Sequence, residues 1–271
     1  PSGLCDQTCQ GFVIVGTRPM STVLVERRDG IGIVTLNRPE RLNAISTGLC
    51  LDLHRALVDV NGDASLKAII LRGAGRAFCA GDDLKEFDRQ SVDEASARRH
   101  IEAIQQVTRD LMLGDKIVVG AVHGYAVGGG FEWLLNCDMV VAAASLTAFF
   151  PEMALGQFVT GGLTHLLPRA VGYQRAIELM VLGERKSAAD LLALGLVNRV
   201  VGEAVLEEEA LGIARLVATK SAYSVGRLKR LLNRELDSAL ERALAQEAEI
   251  TIACFGRGEA AERARGFGKR D

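Results

Sequence analysis

Two glycine-marked segments carry most of the chemistry this sequence can offer. The first is Ala77-Phe78-Cys79-Ala80-Gly81-Asp82-Asp83-Leu84-Lys85, the second His123-Gly124-Tyr125-Ala126-Val127-Gly128-Gly129-Gly130-Phe131-Glu132. Each follows a short apolar run rich in β-branched residues, Ala68-Ile69-Ile70-Leu71 and Ile117-Val118-Val119-Gly120-Ala121-Val122, that reads as a strand. Each then leads into a pattern that can be helical. Two strand-to-helix turns built of small residues can aim two backbone amides at one point, an arrangement that stabilises an oxyanion. Glycine at 128–130 lets a ligand approach the backbone closely and permits unusual φ. Read singly, either cluster is an ordinary strand-to-helix turn.

Two carboxylates stand where such a site would use them. On a helix beginning near Gly129, Glu132 shares a face with the amide at its start. A glutamate in a first helical turn is also favoured by the helix dipole alone. Glu152 lies in Phe149-Phe150-Pro151-Glu152-Met153-Ala154-Leu155-Gly156. Charge in so apolar a segment is expensive unless it is paired or used; the plain alternative is an exposed loop residue. Cys79 has no evident base nearby and reads as a packing residue rather than a nucleophile. Trp133 reads as core.

Taken together, these segments resemble the crotonase (enoyl-CoA hydratase/isomerase) superfamily, and the resemblance covers nearly all of 21–271. It implies an α/β fold, a crotonase-like spiral of ββα units with a helical C-terminal subdomain that mediates trimerisation, and so a homotrimer or dimer of trimers. It also implies a CoA thioester whose carbonyl oxygen accepts from the amides of Asp82 and Gly129; losing one such donor typically costs roughly 3–4 kcal/mol. Hydratases of the family carry one glutamate just after the Gly-Gly-Gly turn and a second in a Pro-Glu segment. Glu132 and Glu152 fill both positions. Hydration needs a base for water and an acid for the carbon beside the carbonyl, so holding both favours hydration of a 2-enoyl-CoA over double-bond isomerisation. Asn37-Arg38-Pro39-Glu40-Arg41-Leu42-Asn43-Ala44 resembles the first CoA-contacting segment. Ala44, Ala80 and Leu84 would lie beside the nucleotide, with Arg41 and Lys85 as candidates for its phosphates. Coenzyme A enters as part of the substrate, with no separate cofactor and no metal.

The chain departs from the family pattern at two places. Many relatives carry a small residue at the position of Asp82; the amide is what acts, but a third carboxylate would influence which acyl groups fit. The segment Gln157-Phe158-Val159-Thr160-Gly161-Gly162 lacks the Pro-Gly turn common after the second glutamate, and that loop helps shape the acyl pocket. Asp83 matches a common family aspartate with a structural role. The ending Phe267-Gly268-Lys269-Arg270 resembles a tail that approaches CoA on a neighbouring subunit. Rivals within the class are an isomerase, a thioester hydrolase or a decarboxylase using the same hole. A rival of another class is a non-catalytic scaffold binding RNA or protein through its surface.

The elements that would position these residues alternate. Strands are expected at 23–26 and 31–36, with Asp29-Gly30 as hairpin turn, and at 67–72, 117–122 and 139–143. Helices are expected at 49–60, from the second glycine segment to about 137, at 187–194 and through most of the chain from 203. Residues 85–112 read as loop and helix. This alternation argues α/β architecture, with 1–19 an N-terminal extension, 20–200 a core and 201–271 a helical C-terminal segment. Met20 closely precedes the first strand, so 1–19 is expected to be either non-native or a disordered arm. At 271 residues, 48% hydrophobic, the chain can bury a sizeable core. A net charge of -2 points to neither nucleic acid nor an anionic membrane as partner, and no run reaches membrane-span length. Six scattered cysteines in a chain this long read as reduced thiols in a cytoplasmic setting. The four histidines show no metal spacing.

Overall fold

The structure is a computed structural model that describes residues 22–86, 93–257 and Arg263, with side chains at 234–237 excepted. The expectations for residues 1–19, for Met20 and for the tail at 267–270 lie outside the described residues.

Strands β1 (Val23–Arg28) and β2 (Ile31–Leu36) form an antiparallel hairpin. Asp29 and Gly30 close it with φ of 54° and 75°, the positive pair whose twist matches that of the flanking strands. From β2 the sheet continues in parallel through β3 (Ala68–Gly73), β4 (Ile117–Val122), β6 (Met139–Ala143) and β9 (Arg199–Val201). A second, smaller sheet joins β5 (Tyr125–Val127), β7 (Thr147–Phe149) and β8 (Lys186–Ser187). Cys79 extends it by pairing with Ala126. Each pass of the chain therefore lays one strand in the large sheet and then one short segment in the small one: β3 then Cys79, β4 then β5, β6 then β7. That is the expected spiral, and it stacks the two glycine segments on consecutive turns.

β2 is apolar without alternation because both faces of the sheet are covered. Val34 and Leu36 point toward α1 (Thr47–Gly62) and α2 (Glu94–Leu113), while Ile31 and Ile33 point toward α8 (Leu206–Ala218). Each such side chain, fully buried, contributes about 1.5–3 kcal/mol relative to exposure. Both sheet-covering helices on the first face start on a side-chain cap. The Ser46 hydroxyl accepts from Leu49 N at 3.1 Å and the Asp93 carboxylate from Ser96 N at 2.7 Å. α2 is longer than the sequence pattern suggests, because its polar face hides a stripe of Ala97, Ile101, Ile104, Val107 and Leu111 that packs on the core.

Five helices complete the middle of the chain: α3 (Gly129–Asn136), α4 (Glu152–Leu155), α5 (Leu163–Val171), α6 (Tyr173–Ile177) and α7 (Ala188–Ala193). Trp133 on α3 is fully buried. The long α9 (Ala222–Gly256) packs along α2 and α5 and closes the side of the molecule where the glycine turns lie.

Glycine serves opposite ends at two positions. A Cβ on Gly130 would collide with the Cys79 carbonyl, which is backbone and cannot yield, whereas one on Gly212 in α8 would meet nothing within 4 Å. Gly130→Ala should therefore lose about 2–3 kcal/mol in urea unfolding. Gly212→Ala should gain up to about 1 kcal/mol. Equal effects of the two substitutions would contradict the stacked-turn packing.

Candidate active site

The two glycine turns are joined by backbone. Phe78 N donates to His123 O at 2.9 Å, Cys79 N to Tyr125 O at 3.0 Å, and Val127 N to Cys79 O at 3.0 Å. Just beyond this ladder, Gly81 adopts φ of 80° with its missing Cβ 2.5 Å from Val127 O, so only glycine lets the first turn pass this close to the second. The chain then leaves the ladder on both strands at once. The amide of Gly129 is the first of α3 and needs no helical acceptor. The Asp82 amide sits between two bonds that bypass it, Ile45 N to Gly81 O at 2.7 Å and Asp83 N to Ile45 O at 2.9 Å. Among the described residues neither amide has an acceptor. Both residues line the same cavity of about 80 Å³, whose walls are otherwise mainly apolar.

Glu132 and Glu152 flank the Gly128-Gly129 step from its two sides. A Cβ on Gly128 would strike Glu152 Oε1, and one on Gly129 would sit 3.9 Å from Glu132 Oε2. Their surroundings differ. Glu132, at 1% exposure, accepts from Thr160 N at 2.9 Å and from Thr160 Oγ1 at 2.8 Å. Burial raises its pKa; the Thr160 bonds oppose the rise and the charge of Asp82 adds to it. Glu152 has no comparable support: its Oε2 is fully enclosed without a hydrogen-bond partner among the described residues. Burial, then the charge of Glu132, and beyond these Asp82, hold its pKa well above the ordinary value. Glu152 lines the cavity directly. Glu132 stands in the wall behind two lining residues, Gly129 and Thr160.

A third buried carboxylate supports this wall. Glu247 on α9 accepts from Gly162 N at 2.7 Å, Thr164 N at 2.8 Å and Thr164 Oγ1 at 2.7 Å. The segment from Thr160 to Thr164 is thereby held at one end by Glu132 and at the other by Glu247. Burial and, among opposing bonds, the Glu132 charge push Glu247 up to about 7. Sequence reading missed this residue. Its signal is a charge on the stripe Leu240, Leu244, Thr251, Phe255, all of which are buried.

The remaining sequence candidates divide. Ala80 and Leu84 line the cavity with Asp82, Gly129 and Glu152. Ala44 is buried beneath the Arg38 guanidinium, which donates to its carbonyl and pairs with Asp83 at 2.8 Å. That ion pair is what Asp83 does. Arg41 and Lys85 are exposed and outside the cavity wall. Cys79 is buried, its thiol pushed up to about 12 by burial, so it is inert as a nucleophile. Sequence reading also missed His100 on α2, which contacts Asp82 through its ring. Among the described residues no group of three or more His, Cys, Asp or Glu could hold a metal ion.

A family model for enoyl-CoA hydratase/isomerase matches residues 26–267. The chain belongs to the enoyl-CoA hydratase/isomerase family. It is 34% identical over 234 residues to a probable enoyl-CoA hydratase of Rhizobium meliloti, covering 86% of this chain and 90% of that one. It is 32% identical to a short-chain-enoyl-CoA hydratase of Clostridium acetobutylicum, covering 87% and 90%. Among solved structures, an enoyl-CoA hydratase/isomerase from Xanthobacter autotrophicus superposes with a TM-score of 0.85 at 34% identity, over 92% of this chain and 95% of that one. An enoyl-CoA hydratase from Bacillus halodurans gives 0.86 at 25% identity, over 91% and 100%. This enoyl-CoA hydratase/isomerase family member thus shares its relatives' architecture along most of their length.

Burying Glu247 has a measurable cost at high pH. Its folded pKa, about 7, lies above the ordinary 4.5, so its contribution to stability is complete below the unfolded value and is lost as pH rises through about 7. Urea unfolding across pH 4.5 to 8 should show the native protein losing about 3 kcal/mol relative to Glu247→Gln. Parallel curves for the two proteins would contradict the assignment.

Proposed function

We propose that this protein hydrates 2-enoyl-CoA thioesters to 3-hydroxyacyl-CoA. The observation that carries the reading is one mostly apolar cavity lined by two unpaired backbone amides and the raised-pKa carboxyl of Glu152, with the raised-pKa carboxyl of Glu132 directly behind its wall. The thioester oxygen accepts from Asp82 N and Gly129 N, where preorganised donors stabilise the enolate as its charge develops. The carboxyl environments divide the proton work. Glu132, with two donors from Thr160, is the better carboxylate and takes a proton from the attacking water at C3. Glu152, without donors on Oε2, holds its proton and delivers it to C2. One water adds across the double bond, the proton count returns to its start, and no electron changes hands.

The CoA nucleotide follows the rim near Ala80 and Leu84 in this reading, with Arg41 and Lys85, both exposed, available to its phosphates. Exposed Tyr223, Leu228, Leu231 and Leu232 on α9 support assembly as a homotrimer or dimer of trimers. Cys50, Cys79 and Cys137 form no disulfide among the described residues, which supports a reducing, cytoplasmic setting. No helix among the described residues is long and apolar enough to cross a membrane.

One observation favours double-bond migration instead: only Glu152 of the two carboxyl groups lines the cavity, and an isomerase needs one group to move a proton. Turnover of 2-enoyl- and 3-enoyl-CoA, followed by product mass, separates the readings. Hydration adds the mass of water; isomerisation leaves mass unchanged. Glu132→Gln and Glu152→Gln should each lower kcat for hydration by at least about 10²-fold with CoA affinity nearly intact. Full hydratase activity in either variant would overturn the two-acid scheme.

A further inference from the structure

The cavity contains a carboxyl group that oxyanion stabilisation does not use. The Asp82 side chain, 32% exposed, belongs to a cavity lined mainly by apolar residues, among them Ile45, Leu84, Ile101, Ile104, Leu155 and Phe255. Its Oδ1 lies 2.8 Å from Nε2 of His100, a residue of α2 that is only 1% exposed. The other ring nitrogen, Nδ1, lies 2.9 Å from Thr47 Oγ1 at the start of α1. The imidazole is thus clamped between two oxygens from two different elements and fixes the Asp82 carboxylate. Oδ2 has no hydrogen-bond partner among the described residues.

A fixed carboxylate oxygen in an apolar wall penalises a hydrocarbon chain laid against it. Such a chain strips water from Oδ2 and returns nothing, and a charged acceptor left unsatisfied is the costliest kind. A ligand group that donates a hydrogen bond removes the penalty. We infer that Asp82, aimed by His100 and Thr47, makes this acyl pocket selective for acyl groups that carry a hydroxyl beyond C3 over plain hydrocarbon chains. This rests on the proposed acyl-CoA site and names the substrate class within it.

The pair's charge narrows the donor. Burial lowers the His100 pKa, but the charge of Asp82 and its hydrogen bond, with Glu86 adding, outweigh that and raise it. Asp82 Oδ1 and Thr47 Oγ1 face the two ring nitrogens, so both ends of the imidazole are held. A neutral hydroxyl fits the vacant lone pairs without the desolvation cost that a cation would bring into an apolar wall. A site built to bond a polar substituent can reject the analogue lacking it by several orders of magnitude. Partial exposure of Asp82 reduces the expected discrimination to roughly 10- to 100-fold.

Binding of saturated thioesters tests the inference without turnover. The probes are hexanoyl-CoA, its monohydroxylated derivatives with the hydroxyl beyond C3, and CoA alone, titrated calorimetrically into the full chain. The best hydroxylated thioester should bind at least about 10-fold tighter than hexanoyl-CoA. Asp82→Ala should abolish that preference, chiefly by tightening hexanoyl-CoA, and leave CoA binding unchanged. His100→Gln should weaken the preference partially, since the carboxylate remains but loses its clamp. Equal or tighter binding of hexanoyl-CoA to the native protein would overturn the inference. So would an Asp82→Ala variant that loses melting temperature but keeps the preference, which would make the pair a structural tie between α2 and the turn. Failure to add water to any enoyl thioester would defeat the hydratase reading and leave this binding result standing on its own.

Discussion

The backbone ladder between the two glycine turns is the constraint on which the rest of the structure depends. Three hydrogen bonds, from Phe78, Cys79 and Val127, clip one strand-to-helix turn onto the next. They work only because Gly81 and Gly130 let backbone meet backbone without a Cβ between. Beyond the ladder, the amides of Asp82 and Gly129 are left without an acceptor among the described residues. Burying an unpaired amide costs roughly 1–3 kcal/mol, so the fold holds two unsatisfied donors at the mouth of the cavity. In the proposed function, a ligand oxygen accepts from both.

The carboxyl groups show the same economy. Glu132 and Glu152 are placed by the first turns of α3 and α4, close to the Gly128-Gly129 step. Burial raises both, and the Glu132 charge opposes ionisation of Glu152. A pair so placed holds one proton more readily than none or two. Which member holds it follows from hydrogen bonds: Thr160 supports a charge on Glu132, and nothing supports one on Glu152 Oε2. Glu247 extends this wall to α9, so the long helix that supplies Thr251 and Phe255 to the cavity also anchors the loop that positions Glu132.

Much of this was legible in the sequence because it is local. The strands at 117–122 and 139–143, the Asp29-Gly30 turn and the helix after Gly129 follow from periodicity and turn chemistry within a few residues. The second sheet was not legible, since strands of two or three residues carry no period to read. At the site, the glycine turns and both glutamates stand out by type and spacing. His100 and Glu247 do not. Each meets its partner only after helices α2 and α9 dock on the spiral, and each sits on a helix face whose neighbours are set by tertiary packing. The surface cations Arg41 and Lys85 mark the other limit. Their charge suggests phosphate binding, but their exposure leaves that role to the ligand rather than to any contact within the chain.

The central claim is that backbone amides, not the Asp82 side chain, polarise the thioester. Infrared difference spectra of a saturated acyl-CoA labelled with carbon-13 at the thioester carbonyl measure that polarisation directly. The carbonyl band should fall in frequency on binding to the native protein and fall equally in Asp82→Ala. It should stay near its solution value in an Asp82→Pro variant shown by circular dichroism and CoA titration to fold and bind. An unshifted band in the native protein, or a shift lost in a folded, CoA-binding Asp82→Ala, would contradict the account.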